Sequence, residues 1–149
     1  MNFIEEMRKK CKSAPGRLVL PEGYEPRTLK AGRIILDEGF ATEVTLLGTI
    51  ADIEAEAKKQ GVALKGLVVE EPALSPLKDE YIQAYYEMRK HKGVSPQDAE
   101  KTFMGDTQHW GAMMMVKGRA DAMVSGADSE TAKVLRAALT IIRTSPGIK

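Results

Sequence analysis

A chain of 149 residues with 43% apolar side chains buries one respectable core and falls short of the usual two-domain size. Its 22 basic and 21 acidic residues are spread along the whole length, so no polybasic arm, acidic tail or patch points to nucleic acid or a membrane. A single cysteine precludes an intramolecular disulfide framework, and no signal segment or apolar run near the roughly 18 residues of a membrane span is found; the cytoplasm is the expected address.

Apolar Phe3, Ile4 and Met7, with acids early and bases late, predict an opening helix to about Ser13, stopped by Ala14, Pro15 and Gly16. Cys11 lies on it among Arg8, Lys9, Lys10 and Lys12 and reads as a spectator. A strand follows at Arg17 to Leu20, then a loop of Pro21, Glu22, Gly23 and Tyr24, then a helix opened by Pro26 and capped by Gly39. Val44 to Leu47 predicts a second strand and Ile50 to Gln60 a helix closed by Gly61. Leu67 to Val69 suggests a third strand, and Lys78 to His91 a long helix with Ile82, Tyr85, Tyr86 and Arg89 on one face. Helices at Pro96 to Met104 and Thr107 to Lys117 precede a strand at Ala122 to Ser125, and a last helix runs from Glu130 to Arg143.

Strands alternating with helices predict a three-layer α/β/α fold with a mostly parallel sheet, because parallel neighbours need crossover connections that helices supply. Strand order is left open, since the right-handed crossover rule does not fix which neighbour each strand chooses. Four strands make a small sheet, so an open edge or an uncovered apolar face is expected.

In such a sheet ligands gather beyond the carboxyl ends of the strands. Two loops there carry suitable groups: PEGYEPR, which places Arg27 after the first strand, and SGADSE, which places Ser125 and Gly126 ahead of a helix bearing Arg136. Strand, glycine loop and helix N-terminus together make a corner suited to a phosphate, with free backbone N–H groups and the positive dipole end turned toward it. A solvated helix residue is the competing reading for Arg27, and an internal salt bridge for Arg136. Arg89 is turned toward the covered side of its helix, where a guanidinium needs an anionic partner. His109, beside Trp110, reads as a core-edge histidine, and Met113, Met114 and Met115 read as core filling. No HxxxH, CxxC or clustered acids suggest a metal, no serine-histidine-aspartate set is assignable, and neither GxGxxG nor GxxxxGK[ST] occurs.

RLVLPEGYEPRTL, DEYIQAYYEMRKHKG, AMMMVKGRADAMVSGA and VLRAALTIIRTSPG occur in the order found in phosphate acetyltransferases, and the chain resembles that family over essentially its whole length. YEMRKHKG with SGA and a downstream LR pair is the specific part. The resemblance implies reversible acyl transfer between acetyl-CoA and phosphate, giving acetyl phosphate and CoA, without metal or redox cofactor and usually in a homodimer. It makes Arg89 and Arg136 substrate-binding arginines, puts Arg27 near the cleft, and assigns Ser125 and Gly126 to a turn offering donors to an anion.

The family often shows a His-Thr-Thr-Ala-Asp type stretch and an Arg-Pro pair, where this chain has Ser129, Glu130, Thr131, Ala132, Lys133 and Arg136 followed by Ala137. A phosphate butyryltransferase-type specificity therefore stays open. Family members run to about twice this length, with a second domain and a returning segment, so 1–149 is expected to be a single α/β domain equivalent to the N-terminal part. The family's catalytic aspartate belongs to the remainder, and the isolated chain is expected to be inactive. A non-catalytic binding or dimerising module and an enzyme of the decarboxylating dehydrogenase group are the competing readings.

Overall fold

The computed structural model describes residues 2–148. Four parallel strands form one sheet in the order β3-β2-β1-β4: β1 is Gly16–Leu20, β2 Ala41–Leu47, β3 Val68–Glu70 and β4 Ala122–Met123. The helices α1 (Phe3–Ser13), α2 (Pro26–Asp37), α3 (Ile50–Gln60), α4 (Lys78–Arg89), α5 (Pro96–Met104), α6 (Thr107–Val116) and α7 (Thr131–Ala137) complete the three-layer α/β/α arrangement.

The two central strands explain the layers, because successive side chains on a strand point to opposite faces. Leu20, Val44 and Leu46 pack against Leu29 of α2 and Ile53 and Ala57 of α3. Val19 and Leu47 face the larger cluster of Tyr81, Tyr85, Phe103, Trp110 and Met113 from α4, α5 and α6. Trp110 is fully buried, with the Tyr81 ring 4.8 Å and the Phe103 ring 5.6 Å away, and its Nε1 donates to Glu70 Oε1 at 2.9 Å. Met113 and Met114 are buried in the same cluster, as expected of the methionine run, and His109 is 2% exposed.

Three elements end differently from the sequence expectation. The last strand stops at Met123, not Ser125. Its ladder partner β1 ends at Leu20 and is followed by Pro21, which has no N–H to continue the pairing, so Val124 N–H still reaches the Val19 carbonyl at 3.2 Å and nothing beyond it pairs. The long helix at Lys78 tightens into a 3₁₀ turn at Lys90–Lys92, closed by Gly93 at φ +79°. Its buried face centres on Tyr81 and Tyr85, with Ile82, Tyr86 and Arg89 half-buried beside it. The final helix holds α geometry only over Thr131–Ala137 and widens into a π turn at Ala138–Ile142, where the Thr140 hydroxyl donates to the Arg136 carbonyl at 2.7 Å and competes with the regular ladder.

β3 and β4 each have one neighbour among the described residues, so both sheet edges are open. Val124 after β4 is 61% exposed, and Leu135, Leu139 and Ile142 on the closing helical segment are exposed as well. Exposed apolar residues therefore accompany an open edge at β4, as Val124 shows. Among the described residues no helix is long and apolar enough to cross a membrane.

Candidate functional site

The loops that follow β1 and β4 meet beyond the carboxyl edge of the sheet, and a carboxylate joins them. Glu22, two residues past the end of β1, is 2% exposed. Its Oε2 accepts from the backbone N–H groups of Gly126 and Ala127, both at 3.0 Å, and its Oε1 from those of Asp128 at 3.0 Å and Ser129 at 2.6 Å. Burial pushes the Glu22 carboxyl up, but the donors from Asp128, Ala127 and Ser129 outweigh it and hold the group at about 2. Gly126 sits at φ +107°, a conformation that turns successive N–H groups inward and favours glycine.

The corner therefore differs from its expected use: the backbone donors of Gly126 and its neighbours serve an internal anion instead of a phosphate. Ser125 stands beside these donors and is not one of the groups that Glu22 engages. It lines a cavity of about 150 Å³ with Leu18, Leu20, Thr28 and Ile35, and its buried Oγ has no partner among the described residues. The helix expected from Glu130 begins at Thr131 and is seven residues long.

Arg27 lies where the loop reading put it. Its Nε donates to Glu25 at 2.6 Å and its Nη2 to the Ala127 carbonyl at 2.6 Å, with 75% of the side chain exposed. Glu25 caps α2 through the Thr28 N–H at 2.8 Å, so one carboxylate orders the helix start and the guanidinium. Burial raises Glu25, but the Arg27 and Thr28 donors prevail and leave it lowered. Tyr24 adds a hydroxyl donor to Asp128 at 3.2 Å, and Gln108 Nε2 donates to Ser129 Oγ at 2.9 Å.

Arg136 lies on α7, the helix that follows this loop. It is exposed on α7 and borders a cleft of about 470 Å³ with Lys101, Asp98, Asp106 and Lys133. Asp98 is engaged by Ser95 and Asp106 by His109 Nδ1 at 2.8 Å and Lys133 at 3.6 Å, while Lys101 and Arg136 have no carboxylate partner among the described residues. The salt-bridge alternative for Arg136 is thereby absent among them. Asp106 also lines an adjoining cleft of about 310 Å³ with Tyr24, Thr49, Asp52 and Glu71. There Glu71 accepts from the Ile50 N–H at 2.9 Å and so caps α3.

Arg89 is not brought to that cleft. It ends α4, and its Nε is buried without a partner among the described residues, so the anion expected to accompany it is not supplied by them. Sequence reasoning missed Glu22, Glu25 and Gln108. The signal for Glu22 was an acid directly after a buried strand, flanked by Pro21 and Gly23.

Gly23 is required where the strand turns away: a Cβ there would stand 2.8 Å from Leu46 Cβ and 2.9 Å from the Leu47 carbonyl. Gly23→Ala is expected to destabilise the protein by about 1–3 kcal/mol, read as a lower urea midpoint. An unchanged midpoint would contradict this account of the turn.

The model of the family Phosphate acetyl/butaryl transferase matches residues 2–149. The chain is 44% identical over its whole length to a phosphate acetyltransferase of Treponema pallidum and 41% identical to one of Thermoanaerobacterium thermosaccharolyticum. It spans 44% of each of those proteins. Among solved structures, it is similar to a phosphotransacetylase from Streptococcus pyogenes, with a TM-score of 0.90 at 32% identity over 100% of this chain and 45% of that one. The EutD phosphotransacetylase from Staphylococcus aureus gives 0.89 at 29% identity, over 100% of this chain and 46% of its own. By this match and by its α/β arrangement, the chain belongs to the phosphate acetyl/butyryl transferase family.

Proposed function

We propose that this chain supplies the phosphate-side portion of a two-domain enzyme that moves an acetyl group reversibly between CoA and inorganic phosphate. The CoA thiolate attacks the carbonyl carbon of acetyl phosphate, the C–S bond forms, the C–O bond to the phosphoryl group breaks, and phosphate leaves; the reverse makes acetyl phosphate. Cations that hold the phosphoryl oxygens favour this reaction by fixing the leaving group and accepting its charge. The carrying observation is the cleft beside Asp106, where Arg136 and Lys101 face solvent without a carboxylate partner among the described residues. Arg27 across the loop and Arg89 at the end of α4 join the reading through the family, with Ser125 and Gly126 shaping the loop. The general base is assigned to the portion of the family that this chain does not span. A homodimer in the cytoplasm is part of the same reading, supported by the exposed apolar residues near β4 and the exposed unpaired Cys11.

The chain joined to the remaining C-terminal portion of the Treponema pallidum relative is expected to release thiol from acetyl-CoA only when phosphate is present. Arg136→Ala is expected to raise the KM for phosphate about tenfold or more. Phosphate-independent release, or a KM unmoved by both Arg27→Ala and Arg136→Ala, would count against the assignment.

A further inference from the structure

Glu22 is spent entirely on the 126–129 segment. The four N–H groups of Gly126 to Ser129 point at it, and none of them has another backbone acceptor among the described residues. All other polar ties on this loop are side-chain contacts: Tyr24 to Asp128, Arg27 to the Ala127 carbonyl and Gln108 to Ser129. Glu22, Tyr24 and Arg27 come from a single stretch of six residues, so the β1 loop grips the β4 loop at three points. The gripped loop leads straight into α7, which carries Lys133 and Arg136. A loop without its own ladder takes its shape from whatever satisfies its donors.

We propose that Glu22 is a positioning residue for the phosphoryl site, acting through the 125–129 loop to set Arg27 and Arg136 on either side of one anion; this rests on the function proposed above. Two consequences follow from the geometry. The amide nest is already filled, so the substrate phosphate is held by the side-chain cations and not by the loop. The Glu22 charge is met by four charge-assisted hydrogen bonds, which order the loop beside the cations. Preorganised guanidinium groups hold a phosphoryl group more tightly than the same groups on a mobile loop.

The test compares Glu22→Gln with Asp121→Asn. Asp121 accepts from the Arg17 N–H at 2.7 Å and from the Arg17 guanidinium at 2.8 and 3.0 Å, where β1 begins and away from the cleft. Hydrogen exchange of the Gly126–Ser129 amides and the affinity for inorganic phosphate are measured on the chain joined to the C-terminal portion named above, for wild type and both variants. Glu22→Gln is expected to lose protection at those amides and to weaken phosphate binding about tenfold, while Asp121→Asn keeps both. Retained amide protection in Glu22→Gln, or equal loss of phosphate affinity in Asp121→Asn, overturns the proposal. If Glu22→Gln does not fold, Glu22→Asp, whose shorter carboxylate cannot reach all four donors, is judged by the same readouts. Failure of the wild-type chain to bind phosphate contradicts the enzymatic reading, whereas normal binding with a fully protected loop in the variant removes only the role of Glu22.

Discussion

Replacing Glu22 by Gln is expected to cost about 3 kcal/mol at neutral pH, and the cost is expected to vanish in acid. The folded carboxyl is held at about 2, below the ordinary 4.5, by the backbone and side-chain donors of residues 127–129 working against burial. Because the folded value is the lower one, the stabilisation is fully present above pH 4.5 and is lost as pH falls toward 2. An amide at this position keeps one acceptor oxygen and turns its own NH₂ toward N–H donors, leaving some of them unsatisfied in a buried site. Urea denaturation of wild type and variant at a series of pH values reads the difference. The gap is expected to grow from pH 2 to 5 and then stay flat; curves that run parallel throughout would contradict it. Tyr24, Glu25, Arg27 and Asp128 surround the group and are common to both proteins, so the comparison reads the change at Glu22.

The largest effect away from this loop is expected at Trp110. Its indole is fully buried between Tyr81 and Phe103, and it ties α4, α5 and α6 to the face of the sheet that carries Val19 and Leu47. Trp110→Ala is expected to destabilise the protein by about 3–5 kcal/mol, from lost burial and the cavity left behind. It also deprives Glu70 of a donor, although Arg119 still reaches that carboxylate at 2.9 and 3.2 Å. Against a total stability of about 5–15 kcal/mol for a domain, such a loss leaves a partly unfolded population at 37 °C. Trp110→Phe keeps an aromatic ring and loses the Nε1 bond, for an expected cost of about 1–2 kcal/mol. Thermal unfolding of the two variants checks the pair, and an alanine variant within 1 kcal/mol of wild type contradicts this view of the core.

The consequence for function runs through α6. Asp106 caps that helix through the Gln108 N–H at 3.0 Å, holds His109 and approaches Lys133, so the wall of the Arg136 cleft is anchored to the same aromatic cluster. A weakened cluster loosens the site as well as the fold.

The elements were legible in the sequence because their signals are local. Pro26 at a helix start, Gly61 at φ +66° after α3 and the apolar run of Val44 to Leu47 each depend on near neighbours. The three-layer arrangement was legible for the same reason. The strand order became visible only in the folded chain, since right-handed crossovers leave the choice of neighbour open. Arg27 and Arg136 were legible as carboxyl-edge residues from their loops. The carboxylate that holds the 126–129 loop was not, because Glu22 and Gly126 are 104 residues apart and the cue for their pairing is the end of β1 at Pro21, a tertiary fact. The same absence of information made the 125–129 amides look available for a phosphate.

The account as a whole claims that Arg27 and Arg136 flank one phosphoryl site across a loop bolted down by Glu22. The most direct measurement follows the arginine Nε resonances of the 149-residue chain during titration with acetyl phosphate. Arg27 and Arg136 are expected to shift together with one dissociation constant, while Arg17, paired with Asp121 where β1 begins, stays still. Arg27 and Arg136 moving with different constants, or neither moving more than Arg17, would contradict the account.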